Sequence, residues 1–228
     1  MPACHAGGRG FESRPLRHLY LSPNLSPKLT LYLCYYVPMK LKPILFIIYL
    51  VIWLLLAIDP WYRSDWLLEN ILVFIALPII LWSERKYGFS EASTWMLFLF
   101  FILHAIGAHY TYSEMPFFSP VTEFFGFERN HYDRLVHFMF TFLLFLPFYE
   151  LLSSFQKLKS NAWLLTVLFL IALSGVYEVL EWGATEVTHP ELGTAFLGMQ
   201  GDSWDAQKDM AASYLGIFLF ILLWKRIK

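Results

Sequence analysis

The feature that most constrains this chain is the arrangement of its apolar residues in six separate runs. The runs have about 15 to 22 residues, close to the length that crosses a hydrocarbon core of roughly 30 Å as a helix. Because lipid offers the backbone no hydrogen-bond partners, such runs are expected to be helical. Charged residues make up only 15% of the chain, whereas about a quarter is usual in soluble domains. The sequence therefore predicts an all-α fold, a polytopic membrane bundle of about six transmembrane helices.

Lysine and arginine flank these predicted spans unequally. The spans cover about Pro43 to Ile58, Trp66 to Trp82, Ala92 to His109, Leu135 to Leu152, Ala162 to Gly183 and Met210 to Trp224. On the side of the termini the flanks carry nine basic residues, Lys40, Lys42, Arg85, Lys86, Lys157, Lys159, Lys225, Arg226 and Lys228, and the opposite flanks carry four, Arg63, Arg129, Arg134 and Lys208. The positive-inside rule then predicts that both termini are cytoplasmic. With no internal repeat, residues 39–228 are predicted to form one domain.

Residues 1–38 differ in character from the rest, since they mix Gly, Pro, Arg, Ser and His without a helical period. The stretch from Gly10 to Arg14 can be written in codons that reproduce the T-arm consensus of a transfer-RNA gene. We therefore expect that the native protein starts at Met39; the alternative is a genuine, disordered cytoplasmic tail. The only cysteines, Cys4 and Cys34, fall in this segment, so no disulfide framework is predicted.

Ionisable residues gather at the predicted outer ends of spans four, five and six. An ionisable group inside a span costs at least a few kcal/mol unless it is paired, so such groups indicate a functional site by default. Residues three or four apart also share one helix face, which gives each span a two-residue polar edge. These edges are Asp133 with His137, Glu178 with Glu181, and Asp205 with Asp209. The sequence predicts that all three edges point into one layer of the bundle.

One histidine with several carboxylates suits a hard or borderline divalent cation, which could activate water. The predicted catalytic residues are His137, Glu178, Glu181, Asp205 and Asp209, of which His137, Glu178, Asp205 and Asp209 are the hypothetical metal ligands. The predicted substrate-binding residues are Arg129, Asn130, Asp133 and Arg134, with an arginine holding an anionic headgroup. This pattern predicts a metal-assisted hydrolase of a lipid or envelope substrate at the outer leaflet.

Other interpretations of the same residues stay open. Asn130 and Asp202 also have the sequence context of helix N-caps, and Glu178 and Glu181 could form structural ion pairs with an arginine. His104 is predicted to be a hydrogen-bonded interior residue. The chain could then be a non-enzymatic envelope accessory protein or a small carrier. A net charge of −1 offers no basic surface for nucleic acid, so membrane lipid is the expected partner and the oligomeric state is left open.

Three blocks of the sequence resemble the YjdF-like family of predicted bacterial inner-membrane proteins. The blocks are Glu128 to Phe138, Tyr177 to Trp182 and Ala195 to Met210, and the resemblance covers essentially Met39 to the C-terminus. It implies a multi-pass protein of the bacterial cytoplasmic membrane and supplies no established activity.

A second resemblance concerns the order of polar motifs. Asp133-Arg134-x-x-His137, Glu178-x-x-Glu181 and Asp205-x-x-x-Asp209 follow one another as in VanZ-like membrane proteins. Those proteins are associated with glycopeptide resistance and the cell envelope, which implies an envelope role here. The chain departs from that pattern at Glu181, where an amide is expected, and at Ser213, where an asparagine is usual.

Overall fold

The computed structural model describes residues 38–188 and 200–227. Within these ranges the long helices are α1 (Pro38–Leu56), α2 (Arg63–Tyr87), α3 (Glu91–Tyr110), α5 (Tyr132–Ser154), α6 (Ala162–Thr188) and α7 (Asp205–Ile227). A short helix, α4 (Ser119–Phe125), precedes α5, and 3-10 turns lie at Tyr112–Glu114, Pro116–Phe118 and Lys159–Asn161. The expected start at Met39 concerns residues 1–38, of which residues 1–37 lie outside the described residues. Contacts divide the chain into Met1–Leu45 and Phe46–Lys228, and the second unit is described below.

The helices have the composition expected for a bilayer. Within the described ranges, α2, α3, α5, α6 and α7 are long and apolar enough to cross a membrane, and α1 contributes a shorter apolar stretch, Leu41–Leu56. Large apolar side chains stay exposed on their outer faces, including Phe74, Val179 and Phe218, as lipid contact requires. The predicted helical membrane bundle is thus confirmed, with five to six spans. The orientation of the termini stays a prediction.

Helix α5 lies at the centre of this unit and packs against α3, α6 and α7. Phe145 of α5 is fully buried among Leu170 of α6 and Ile217 and Phe220 of α7. Lipid tails are as apolar as these side chains, so close van der Waals packing, not exclusion of water, holds such helices together. Of the elements that carry the polar residues, α5 and α7 share the most extensive interface.

Small and hydroxylated residues join α5 to α7. The Ser213 hydroxyl donates to the carbonyl oxygen of His137 at 3.0 Å, and the Thr141 hydroxyl donates to the carbonyl oxygen of Ser213. One turn further on, Gly216 lies directly against the backbone of Phe138. These contacts set the height of α7 against α5, which decides whether the acidic residues at their starts can meet.

The two helices that carry the aspartates, α5 and α7, are among those that begin earlier than their apolar runs predicted. The span expected from about Met210 is part of α7, which starts at Asp205, and the span expected from about Leu135 is part of α5, which starts at Tyr132. The polar first turns remain helical because acidic side chains are favourable at a helix N-terminus. Asp205 and Asp133 consequently lie on rigid helix, and not in loops.

Candidate functional site

Two arginines, Arg134 in the first turn of α5 and Arg129 in the segment before it, contact aspartates at the start of α7. The Arg134 guanidinium lies 2.7 Å from Asp202, 3.0 Å from Asp205 and 3.6 Å from Asp209. Arg129 contacts Asp205 directly and lies 3.7 Å from Asp202. Both arginines were predicted to bind an anionic substrate group. In the structure their charges are opposed by aspartates of this chain.

Three aspartates form a compact buried group, called the aspartate triad below. It consists of Asp133, Asp205 and Asp209, and one carboxylate oxygen of each lies within 4.8 Å of the others. All three residues are at least 94% buried. Asp205 Oδ2 and Asp209 Oδ1 have no hydrogen-bond partner among the described residues. Asp205 Oδ2 is thus available to a ligand, and Asp209 Oδ1 has only the 3.6 Å ion-pair contact with Arg134 Nε.

A second group, called the histidine triad below, lies on the other side of Asp133. It consists of His137, Glu178 and Glu181, which also offer ligand atoms within 4.8 Å of one another. His137 Nε2 lies 3.6 Å from Asp133, and His137 Nδ1 lies 3.4 Å from Glu178 Oε1. The second contact is short enough for an ion pair but does not have hydrogen-bond geometry, so Glu178 Oε1 remains without a hydrogen-bond partner in the described chain. His137 therefore bridges the two triads.

The structure divides the predicted metal ligands differently from the sequence interpretation. That interpretation combined His137, Glu178, Asp205 and Asp209, whereas the first two lie in one triad and the last two in the other. Asp133, predicted to bind substrate, completes the aspartate triad. Helical spacing places residues on one face of a helix, but it does not determine which residues of neighbouring helices face each other.

Asn130 is occupied within the protein. Its side-chain amide donates to the carbonyl oxygen of Met115 at 2.8 Å, and its Oδ1 accepts from the Tyr132 N–H at 3.0 Å. Its backbone N–H and carbonyl form a two-way pair with the Gln200 side chain. Asn130 lies two residues before α5, not directly at its N-cap. The contacts favour a role in fixing the loop over the predicted contact with substrate.

Negative charge exceeds positive charge in this region. The two triads and Asp202 carry six carboxyl groups in addition to His137. Within residues 38–188 and 200–227, the basic residues that form ion pairs with Asp202, Asp205 and Asp209 are Arg129, Arg134 and Lys208. Buried charges must be paired, and a neutral imidazole carries only one N–H for the two carboxylates beside it. The arrangement therefore needs additional positive charge, which bound protons or a cation would supply.

A buried polar pair, Glu69 with Tyr177, was not predicted from the sequence. Glu69 of α2 is 94% buried and accepts a hydrogen bond from the Tyr177 hydroxyl at 3.0 Å. The signal was present, since Glu69 lies inside the second apolar run, and an ionisable residue in a span indicates function by default. His104 is buried as predicted, and its Nδ1 lies 2.6 Å from the Tyr112 hydroxyl.

Asp202 lies outside the membrane spans, and its ionisation makes the stability of the fold depend on pH. Its carboxylate accepts from Lys208 at 2.6 Å, from Arg134 at 2.7 Å and from the Trp204 N–H at 3.1 Å. The pKa of Asp202 lies well below its ordinary value of 3.8 because of these three hydrogen bonds. The bond from Lys208 has the largest effect, followed by those from Arg134 and from the Trp204 N–H. A lowered pKa means that the charged form stabilises the fold, fully above that ordinary value and progressively less as the pH falls below it.

We expect Asp202→Asn to lower the thermal unfolding midpoint at pH 7 and to reduce the further drop that wild type shows below about pH 4. Unfolding in detergent micelles at pH 7, 4 and 3 measures both effects. Glu123→Gln, which removes an exposed carboxyl group of α4, is the control. Parallel pH profiles for wild type and Asp202→Asn would contradict the assignment.

These features define a class, a polytopic helical membrane protein with a buried acidic cluster at one end of its bundle. Residues 41–228 match the model of a family described as "Predicted membrane protein (DUF2238)", and the chain belongs to this family. It is 31% identical over 166 residues to "Inner membrane protein YjdF" of Escherichia coli (strain K12), an alignment that covers 72% of this chain and 79% of that protein. No solved structure gives a significant match. The chain is thus a multi-pass inner-membrane protein.

Proposed function

We propose that this chain is a membrane-embedded, metal-assisted hydrolase acting on a lipid or envelope substrate. The observation that carries the proposal is the aspartate triad, in which buried Asp205 Oδ2 and Asp209 Oδ1 have no hydrogen-bond partner among the described residues. Three carboxylate oxygens at this spacing fit a hard divalent cation such as Mg²⁺ or Mn²⁺. Such an ion would supply Lewis acidity and a more acidic bound water.

The histidine triad would act beside that ion. His137 has one ring nitrogen towards Asp133 and the other towards Glu178, so it can pass a proton between the two triads. A base within hydrogen-bond reach of a bound water is the minimum requirement for general base catalysis. Arg134 and Arg129 already pair with Asp205 of the aspartate triad. A cation bound to that triad would share these carboxylates and leave arginine charge to oppose negative charge on the substrate.

The second candidate is a non-enzymatic envelope protein whose polar cluster fixes the helices. Its support is that Arg134 contacts three aspartates, Asp202, Asp205 and Asp209, as a structural ion-pair network would. This network accounts for the arginines. It does not account for the excess of carboxylates or for the histidine triad.

The metal content of the purified protein distinguishes the hydrolase from the non-enzymatic envelope protein. We expect detergent-purified wild type, dialysed against Mn²⁺ and measured by elemental mass spectrometry, to hold about one ion per chain. Asp209→Asn should bind at least 10-fold more weakly, because it removes a ligand and even supporting residues cost about 10 to 100-fold. Glu178→Gln reports whether the histidine triad shares the ion.

The matched control is Asp202→Asn, which removes a nearby carboxylate that is paired with Lys208 and belongs to neither triad. The Asp202→Asn variant should retain the bound Mn²⁺. Folded wild type without bound Mn²⁺, or equal retention by Asp209→Asn and Asp202→Asn, would favour the ion-pair network over the metal site.

A further inference from the structure

An apolar cavity of about 530 Å³ lies between α2, α3, α5 and α6. This volume is within the range of sites for small organic ligands, roughly 300 to 1,000 Å³. Its lining along α5 begins with the triad residues Asp133 and His137 and continues through Val136 and Leu144 to Leu151. The cavity therefore shares Asp133 and His137 with the two triads and leads away from them through an apolar interior.

The opening of this cavity faces the bilayer. Ile75 and Ile79 of α2 and Val176 and Leu180 of α6 line the cavity, and each is more than half exposed. Side chains that line a cavity and are also exposed mark its rim. Because α2 and α6 are membrane helices, this rim opens to lipid hydrocarbon and not to water.

The dimensions fit a lipid chain. From Asp133 to Leu151 the lining residues of α5 extend over 18 residues, which is about 27 Å of helix. A hydrocarbon core is roughly 30 Å thick. The polar residues of the lining gather mainly at one end, where Asp133, His137 and Tyr177 lie. An occupant with a long apolar chain and a polar group at one end matches this division.

We infer that the cavity holds an acyl chain of a bilayer phospholipid and presents the polar part of that lipid to Asp133 and His137. The inference rests on the proposed function and names its substrate class as a membrane phospholipid. The acyl chain is the occupant because the rim opens to the hydrocarbon of the surrounding bilayer, where such chains are the abundant species.

The test uses the full chain in nanodiscs of phosphatidylethanolamine and phosphatidylglycerol. The nanodiscs are doped with phosphatidylglycerol that carries a diazirine in one acyl chain. After illumination, mass spectrometry locates the cross-links. We expect them at Val136 and Leu144, which are 6% and 7% exposed and line the cavity. Cross-links confined to outward residues such as Leu168, which is 52% exposed, would overturn the inference, because ordinary annular lipid produces those.

A matched pair of substitutions tests occupancy. Ser174 lines the cavity, and its hydroxyl has no hydrogen-bond partner among the described residues, so Ser174→Leu fills space without removing a bond. It should reduce cross-linking at Leu144 by about 10-fold, since each CH₂ excluded from an apolar site weakens partitioning several-fold. Ala172→Leu, two residues away on the exposed face of α6, should leave it unchanged. Ala76→Leu fills the cavity from α2 and replaces Ser174→Leu if overpacking prevents folding.

Measuring Mn²⁺ on the same samples separates this inference from the proposed function. Cross-links at Val136 and Leu144 without bound Mn²⁺ support the lipid cavity and contradict the metal site. Bound Mn²⁺ without those cross-links overturns the lipid cavity and leaves the metal site in place. Loss of Leu144 cross-links in both Ser174→Leu and Ala172→Leu would also overturn the inference, because it would show no dependence on the cavity.

Discussion

Arg134→Met is expected to lower the free energy of unfolding by about 3 to 5 kcal/mol, the usual cost of removing one partner of a buried ion pair. The variant leaves Asp205 and Asp209, which are 4% and 2% exposed, without the guanidinium that approaches them at 3.0 and 3.6 Å. Arg134→Lys should recover only part of this loss, because a lysine cannot reproduce the fork of hydrogen bonds. Reversible unfolding in mixed detergent micelles measures the difference.

The control for Arg134 is Arg85→Met, which removes an exposed arginine from the last turn of α2. A surface change of this kind should stay within about 0.5 kcal/mol. Equal stability of the two methionine variants would show that the guanidinium contributes nothing to the cluster. If the proposed metal site is correct, Mn²⁺ should restore more stability to Arg134→Met than to wild type, since the cation replaces a lost positive charge.

Gly216→Ala is expected to destabilise the fold by about 1 to 3 kcal/mol, the range for overpacking in a close-packed interior. A Cβ atom at this position would collide with the carbonyl oxygen of Phe138 and with Thr141 Oγ1. The backbone carbonyl cannot rotate aside, so α5 and α7 must move apart. Asp209 lies seven residues earlier on α7, about 10 Å along the axis, so the separation should also distort the aspartate triad.

Gly183→Ala provides a matched control in another membrane helix. A Cβ atom at Gly183 meets nothing within 4 Å, and alanine has the higher helix propensity by about 1 kcal/mol. This control should be neutral or slightly stabilising in the thermal unfolding assay. Weaker Mn²⁺ binding in Gly216→Ala but not in Gly183→Ala would link helix packing to the triad. Equal midpoints for both variants would contradict the close α5–α7 contact.

The sequence by itself determined the helices and the residues of the cluster. The length of the apolar runs and the absence of water in lipid leave few alternatives to helices. The i,i+4 geometry of a helix alone places Asp133 beside His137, and Asp133 Oδ1 lies 3.6 Å from His137 Nε2. A carboxylate inside an apolar run indicates a site wherever it occurs. Glu69 also lies inside an apolar run, so the same rule would have marked it from the sequence as part of a site.

Only the tertiary structure decided how these helix edges face one another. Helical periodicity places residues on a face but contains no information on the rotation or height of a neighbouring helix. The contact of Gly216 with Phe138 and the bond from Ser213 to His137 set that height. They place Asp205 and Asp209 beside Asp133 and leave Glu178 with His137. The apolar cavity likewise arises from the spacing between four helices, a property that no single helix carries in its own sequence.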